Sequence, residues 1–121
     1  MDKPTYQDAT LIVQMAQLSS GMDTARAWIW SDKFIPDFSE FIKKYPRGSE
    51  EYSNVMKISG WMELLGTFYK HKLINEELLF DWLAVDLVWE RLKGFLLGVR
   101  DAAGYPRLYE NFEAMAKAEK G

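Results

Sequence analysis

Acidic residues occur in two closely spaced pairs in the C-terminal half of the sequence. Asp86 and Glu90 are four residues apart, and Glu110 and Glu113 are three residues apart. On a helix, either spacing places both carboxylates on one face, where their oxygens could bind a cation such as Mg²⁺. One hypothesis is therefore a magnesium-dependent hydrolase of phosphate esters or nucleotides, with Asp86 and Glu90 as the metal candidates. Nearby lysines and arginines could instead pair with these acids on a solvated face.

Other reagents of catalysis are scarce in this chain. His71 is its one histidine, and it contains no cysteine. A Ser-His-Asp triad would need His71 alone as its base, and the absence of cysteine removes disulfides, thiolate nucleophiles and zinc–thiolate sites. A ferritin-like di-iron bundle needs Glu-x-x-His pairs on two helices, and the sequence has none. We therefore predict no catalytic residue and no cofactor, and a surface role for His71 near a helix C-terminus.

Planar donors and acceptors lie beside aromatic rings in two short stretches, and they form the polar patch that most resembles a functional site. Its members are Glu90, Arg91, Arg107, Tyr109, Glu110 and Asn111. A structural alternative is helix capping and docking. In that case Pro106 starts the last helix and Glu110 lies in its first turn. Arg107 would then pair across the bundle with Glu90 or Asp86.

These residues need elements to position them, and almost every segment has the apolar spacing of a helix. We predict helices at about 4–18, 22–31, 36–45, 50–71, 76–82 and 82–101, and a last one from 106. Pro36 is expected to open the third helix, and Ser49 and Asn75 to cap the fourth and fifth. The fifth continues into the sixth either directly or through a kink near Ala84. The fold class is all-α, a single-domain helical bundle of about six or seven helices without a sheet.

The length and charge of the chain limit its function further. Its 121 residues suit one domain, residues 1–121, with frayed termini at 1–5 and 118–121. The net charge of −3 argues against a nucleic-acid binder, which usually presents a basic face to phosphates. No apolar run is long enough to span a membrane, and the N-terminus shows no signal peptide. With the absence of cysteine, these features predict a cytoplasmic protein that binds neither nucleic acid nor membrane.

The clearest pattern in the sequence is an apolar seam with spacings of three, four, three, four and three residues. It consists of Trp82, Val85, Trp89, Leu92, Leu96 and Val99, and it predicts one unbroken helical stripe. Five Trp, six Tyr and seven Phe exceed what a core of this size needs, so some should line a pocket or face a partner. The candidates for an interface or pocket are Trp61, Phe68, Trp82 and Trp89.

Glycines within the two longest predicted helices indicate close packing. Gly60 and Gly66 lie in the helix at 50–71, and Gly94 and Gly98 lie in the helix at 82–101. Each would let a neighbouring backbone approach, at some cost in helix propensity. We therefore expect tight crossings at all four positions.

Two further hypotheses for the function are alternatives to the hydrolase. The one we favour is a non-enzymatic helical interaction module that acts as a homodimer, with another protein as a further possible partner. Its aromatic candidates would be buried between two subunits. The other is a bundle that binds a small apolar ligand in a pocket lined by the same aromatic side chains.

Several stretches resemble an uncharacterised all-helical family of microbial proteins that is catalogued only as a domain of unknown function. They are residues 72–82, residues 89–93 with the sequence Trp-Glu-Arg-Leu-Lys, and residues 106–112 with the sequence Pro-Arg-Leu-Tyr-Glu-Asn-Phe. Ranges 25–28 and 61–68 resemble that family's second and fourth helices, so the resemblance covers roughly residues 11–117. It implies an all-helical fold and brings no known activity. Some members of the family carry an N-terminal membrane helix, which this sequence does not show.

Overall fold

The computed structural model describes residues 3–121, and this part of the chain folds into seven α-helices without a strand. The helices are α1 (Tyr6–Leu18), α2 (Asp23–Ile29), α3 (Phe38–Lys44), α4 (Glu50–Lys70), α5 (Glu76–Trp82), α6 (Val85–Ala103) and α7 (Glu110–Lys120). The predicted all-α class is confirmed. Residues 1 and 2, part of the expected frayed N-terminus, lie outside the described residues. Fraying at 118–121 stays a prediction, and residues 118–120 continue α7.

Side-chain caps explain where several helices begin. The predicted caps are present, since the Ser49 side chain accepts from the Tyr52 N–H at 3.1 Å and the Asn75 side chain accepts from the Leu78 N–H at 3.0 Å. Such a bond satisfies one of the free N–H groups of a first turn. The expected start of the third helix at Pro36 is wrong, because Asp37 is the cap and α3 begins at Phe38.

The apolar seam is interrupted between α5 and α6. Leu83 and Ala84 leave the helical conformation, with ψ angles of 137° and 73°. The prediction of one unbroken stripe is therefore wrong at its first residue, because Trp82 ends α5 while the other five residues lie on α6. The alternative prediction of a kink near Ala84 is confirmed. Those five are buried, whereas Trp82 is only half-buried. The spacing of the seam continues through the break, so periodicity alone could not reveal it.

Helix α4 lies at the centre, with α2 and α7 packed on it, and α6 joins α7 to α3. A Cβ at Gly66 would lie 2.6 Å from the carbonyl carbon of Asn111, so glycine lets the backbone of α7 come close. A Cβ at Gly94 would lie 2.9 Å from the backbone carbonyl oxygen of Pro36, and one at Gly98 would collide with the side chain of Phe38. The expectation was wrong for Gly60, which faces open space.

A filled cluster of aromatic rings forms the core between α2, α3, α4 and α6. We call it the Phe41 cluster, and its members are Trp28, Phe34, Phe38, Phe41, Tyr45, Tyr52 and Phe95. The rings of Phe41 and Phe95, both fully buried, have centroids 4.6 Å apart at 68°. Edge-on contacts of this kind add to the free energy of burying each ring.

The described helices give no membrane-spanning candidate. None of them within residues 3–121 combines the length and the apolar content that crossing a bilayer requires.

Candidate functional site

A cleft of about 340 Å³ opens between α1, α2, α4 and the break that follows α5. We call it the tryptophan cleft, and its lining residues are Ala16, Ser19, Arg26, Ile29, Trp30, Ile58, Trp61, Met62, Trp82, Leu83, Ala84 and Val88. Its volume lies near the lower end of the range for small-molecule sites, which starts at about 300 Å³. Its lining is mostly apolar and aromatic, as in such sites.

Trp61 forms a fixed wall of the cleft. Its indole N–H donates to the carbonyl of Met15, near the end of α1, at 3.0 Å. Its ring meets that of Trp82 edge-on, with centroids 5.8 Å apart at 83°. Two of the four predicted aromatic candidates therefore come together at this cleft. They do so because the chain breaks at Leu83, which turns Trp82 away from the seam of α6.

Trp30 lies at the mouth of the cleft, with 50% of its surface exposed. Arg91 from α6 holds the backbone on either side of it. The Arg91 Nε donates to the Ile29 carbonyl at 2.6 Å, and its terminal nitrogen donates to the Ser31 carbonyl at 2.7 Å. The guanidinium also lies 5.7 Å from the centroid of the Trp30 ring. Arg91 is thus the one polar-patch candidate that acts on the cleft, and it does so by positioning Trp30.

Sequence reasoning missed Trp30 as a candidate. The apolar stripe of α2 consists of Ala25, Trp28 and Ile29, and Trp30 lies off that stripe. A tryptophan outside the buried face of its helix has no core to enter, so its position was a signal of a second apolar surface.

The polar side chains of the lining are hydrogen-bond donors. The Ser19 hydroxyl donates to the Ala16 carbonyl at 2.8 Å, and Arg26 forms an ion pair with Asp23 at 3.0 Å. Among the lining residues, all within the described part of the chain, none is acidic. The cleft therefore combines an apolar wall with one arginine, which is paired to Asp23 outside the lining.

The other two aromatic candidates lie elsewhere. Trp89 is 5% exposed and packs edge-on against Phe112 of α7, with ring centroids 5.1 Å apart. It belongs to the core between α6 and α7. Phe68 is half-buried on α4, outside the cleft lining. The four tryptophan and phenylalanine candidates are therefore not one surface.

Most of the polar patch holds the start of α7. The expected start at Pro106 is wrong, since α7 begins at Glu110. Arg107 pairs with Glu110 at 3.0 Å, so the expected pairing of Arg107 with Glu90 or Asp86 is also wrong. Asn111 donates to the Thr67 hydroxyl of α4 at 3.3 Å.

Glu63 of α4 supplies the cap that α7 lacks locally. Tyr109 precedes α7 in a left-handed conformation, with φ 60° and ψ 23°, and its side chain makes no capping bond. The Glu63 carboxylate accepts from the Phe112 N–H at 2.8 Å instead. Burial raises the pKa of Glu63, and the hydrogen bonds from Phe112 and Asn111 oppose that rise. Sequence gave no signal of this cap, because the partners are 49 residues apart.

The acidic pairs do not converge. The Glu90 carboxylate pairs with Lys93 at 2.7 Å and with Lys120 at 3.7 Å, and the hydrogen bond from Lys93 lowers its pKa. Asp86 donates its N–H to the Glu119 carboxylate at 3.0 Å. Within residues 3–121, no group of three or more acidic, histidine or cysteine side chains is placed to hold a metal ion. Asp86 and Glu90 thus lack a third protein ligand there.

Two further polar surfaces are the surroundings of Glu113 and a wider depression. Glu113 pairs with Arg100 of α6 at 3.1 Å, which fastens α7 to α6, and with Lys117 of α7 itself at 3.1 Å. The depression, of about 760 Å³, lies where α1 begins and α4 ends. Thr5 and Asp8 of its lining cap α1, and the Tyr69 hydroxyl donates to Glu76 at 3.1 Å, while Lys3, Lys70 and Lys72 also line it. Its lining includes one aromatic ring, whereas the cleft has three. The tryptophan cleft is the better candidate.

Comparison with known proteins places the chain in a family. The family model described as a domain of unknown function (DUF4760) matches residues 4–118. The chain belongs to this family. The resemblance found in the sequence is thereby confirmed. No curated protein and no solved structure matches the chain. The range that matches DUF4760 includes every residue of the tryptophan cleft.

Proposed function

We propose that the protein is a non-enzymatic binding module of the cytoplasm whose tryptophan cleft takes a small apolar ligand. The observation that carries this proposal is the convergence of Trp30, Trp61 and Trp82 on an open space of about 340 Å³. Aromatic side chains at a rigid, concave surface are the usual means of recognising an apolar molecule. The net charge of −3 and the absence of cysteine support the cytoplasmic location and a function apart from nucleic acids and membranes.

The mechanism is burial of apolar surface. A ligand that fills the cleft removes on the order of 200 Å² of apolar surface from water, which contributes about 5 kcal/mol before the cost of association. Because association itself costs free energy, the Kd is weaker than the roughly 0.2 mM that 5 kcal/mol alone would give. The bond from Trp61 to the Met15 carbonyl and the contacts of Arg91 beside Trp30 hold the walls in place, so little ordering is needed on binding.

The test is a titration with 1-octanol, followed by the intrinsic fluorescence of the tryptophans and by calorimetry. Ala16 lines the cleft from α1, so Ala16→Phe places a ring in the ligand's space. Ala9, also exposed on α1, lies outside the lining, so Ala9→Phe is the matched control. We expect saturable binding that Ala16→Phe weakens at least tenfold and Ala9→Phe leaves unchanged. Absence of saturable binding, or equal binding by both variants, would contradict the proposal.

A homodimer is the second candidate, and exposed apolar residues beside the cleft favour it. Leu18 is 60% and Leu87 59% exposed, and each is next in sequence to a lining residue. Trp61 and Trp89 are buried within the chain, so a dimer contact would rest on Leu18, Leu87 and Trp30. Native mass spectrometry over a range of protein concentrations tests this. A dimer lost in Leu87→Lys, but kept when the distant and equally exposed Leu73 is changed to Lys, supports it, and a monomer at every concentration rejects it.

A further inference from the structure

The charge around the tryptophan cleft limits what its ligand can be. Among the lining residues Arg26 is the one charged side chain, and the other polar ones are Ser19 and the indoles of Trp30, Trp61 and Trp82. None of these carries negative charge. The Ser19 hydroxyl and the Trp61 indole already donate to backbone carbonyls, so the remaining donors of the lining are on Arg26, Trp30 and Trp82. An apolar ligand with an anionic end would meet a donor at the rim, whereas a cationic end would meet Arg26.

We propose that the ligand is an amphipathic carboxylate, with its hydrocarbon part between the tryptophans and its carboxylate on Arg26. This inference rests on the proposed function, since it names the class of ligand that the same cleft binds. Arg26 and Trp30 are four residues apart around the end of α2, which places the guanidinium and the indole on the same side. The apolar wall and the anion contact are therefore adjacent.

Arg26 is available to a ligand. Its partner Asp23 is three residues away, and the two side chains are 47% and 84% exposed. An exposed pair of this kind contributes little free energy. The guanidinium also has five N–H donors, of which the contact with Asp23 uses one terminal nitrogen at 3.0 Å. A second carboxylate can thus bind the same arginine.

Arg91 adds a second positive charge near the mouth. Its donors are directed at the carbonyls of Ile29 and Ser31, and its guanidinium lies against the Trp30 ring. No acidic residue of the described chain forms an ion pair with it. Its charge therefore attracts an anion to the rim without requiring direct contact.

The volume of the cleft fixes the size of the ligand. About 340 Å³ is roughly eleven times the ~30 Å³ that one water molecule occupies in the liquid. A ligand with about ten non-hydrogen atoms fits that space, which corresponds to a medium-chain fatty acid or an aromatic acid of similar size.

The experiment compares three probes of equal chain length, octanoate, 1-octanol and octylammonium, by calorimetry at pH 7 and below their aggregation concentrations. We expect octanoate to bind roughly three- to tenfold more tightly than 1-octanol, and octylammonium most weakly. Arg26→Gln should abolish the preference for octanoate over 1-octanol. Asp23→Asn removes the competing carboxylate and should tighten octanoate binding about twofold. Arg47→Gln makes the same change in net charge away from the cleft and is the matched control.

The outcomes separate this inference from the proposed function. If 1-octanol and octanoate bind equally, or if Arg47→Gln reduces the preference as much as Arg26→Gln, the carboxylate assignment is overturned while the apolar site remains. If no probe binds, both are overturned. Thermal unfolding of each variant shows that it is folded, and both substituted side chains at 23 and 26 are exposed enough for the fold to tolerate the change.

Discussion

Helix α2 and the residue that caps its C-terminus carry aromatic side chains to two regions, one filled by rings and the other partly open. Trp28 enters the Phe41 cluster and Trp30 borders the tryptophan cleft, and two residues of helix correspond to a rotation of about 200° between them. In the cluster the rings fill the space between the helices, with centroids 4.6–6.5 Å apart. In the cleft Trp61 and Trp82 contact each other and leave about 340 Å³ open.

Aromatic content therefore does not by itself indicate a binding site. The cluster is filled because α3 brings Phe38, Phe41 and Tyr45 into the space beside α2. On the other side of α2, the facing residues include Ala16, Ser19 and Ala84, which are too small to fill it. Small residues opposite large aromatic ones make the cleft.

The largest expected effect is a difference in stability between two variants, each of which loses one ring from one region. Phe41 is fully buried, so Phe41→Ala should lower the free energy of unfolding by about 3–5 kcal/mol. Trp82 is half-buried beside open space, so Trp82→Ala should cost about 1–2 kcal/mol and weaken 1-octanol binding. Urea denaturation measures both. An equal loss of stability would mean that the cleft acts as core.

Substitutions that add volume should destabilise the Phe41 cluster and leave the tryptophan cleft nearly as stable as before. A Cβ at Gly98 would collide with Phe38 of the cluster, so Gly98→Ala should cost about 2 kcal/mol despite the ~1 kcal/mol that alanine gains in helix propensity. Ala16→Phe adds a whole ring beside the cleft and should change stability by less than about 0.5 kcal/mol. Thermal unfolding of the two variants decides this, and a similar loss in both would show that the cleft has no spare volume.

Arg91 contacts both regions, because its guanidinium lies 4.9 Å from the Phe34 ring and 5.7 Å from the Trp30 ring. Arg91→Gln leaves the carbonyls of Ile29 and Ser31 without their donors and should cost about 1–2 kcal/mol. Ligand affinity should fall several-fold, since Trp30 loses its support. Arg91→Lys, which keeps the charge but not the paired donors, should recover little of either. Full recovery by lysine would show that only the charge matters.

The smallest expected effect is a dependence of the protein's stability on pH through Glu63. Burial raises the pKa of Glu63 above its usual value of 4.5, so the folded protein holds this proton more tightly than the unfolded chain does. The contribution of Glu63 to stability should therefore decrease as pH rises from below 4.5 through the folded-state pKa. When stability is measured against pH, the wild type should lose stability relative to Glu63→Gln as pH rises. Binding in the cleft should be unchanged. Parallel curves would contradict it.

The sequence predicted the features that depend on near neighbours. Ser49 and Asn75 cap their helices through bonds to the third residue along the chain, so local spacing was sufficient. The buried stripe from Val85 to Val99 follows from helical periodicity in the same way. The all-α class was therefore predictable.

What the sequence could not predict depends on contacts between distant segments. The Glu63 cap joins residues in different helices. The break at Leu83 was predicted only as one of two alternatives, a kink near Ala84, because the apolar spacing continues across it. Of the candidate site, Trp61 and Trp82 were named but Trp30 was not, since the empty space between them is set by the packing of four elements. No spacing of residues along the sequence therefore predicts this open space.

The bond between the Trp61 indole and the Met15 carbonyl has a consequence for hydrogen exchange. Met15 is the one buried residue of α1, and its carbonyl is the point where this helix is fastened to α4. The amides of α1 should consequently exchange with solvent faster than those of α4 through a local opening that removes one wall of the cleft. A molecule bound in the cleft makes that opening rarer, so it slows the exchange of the α1 amides. Slower exchange in α1 therefore indicates that the cleft is occupied.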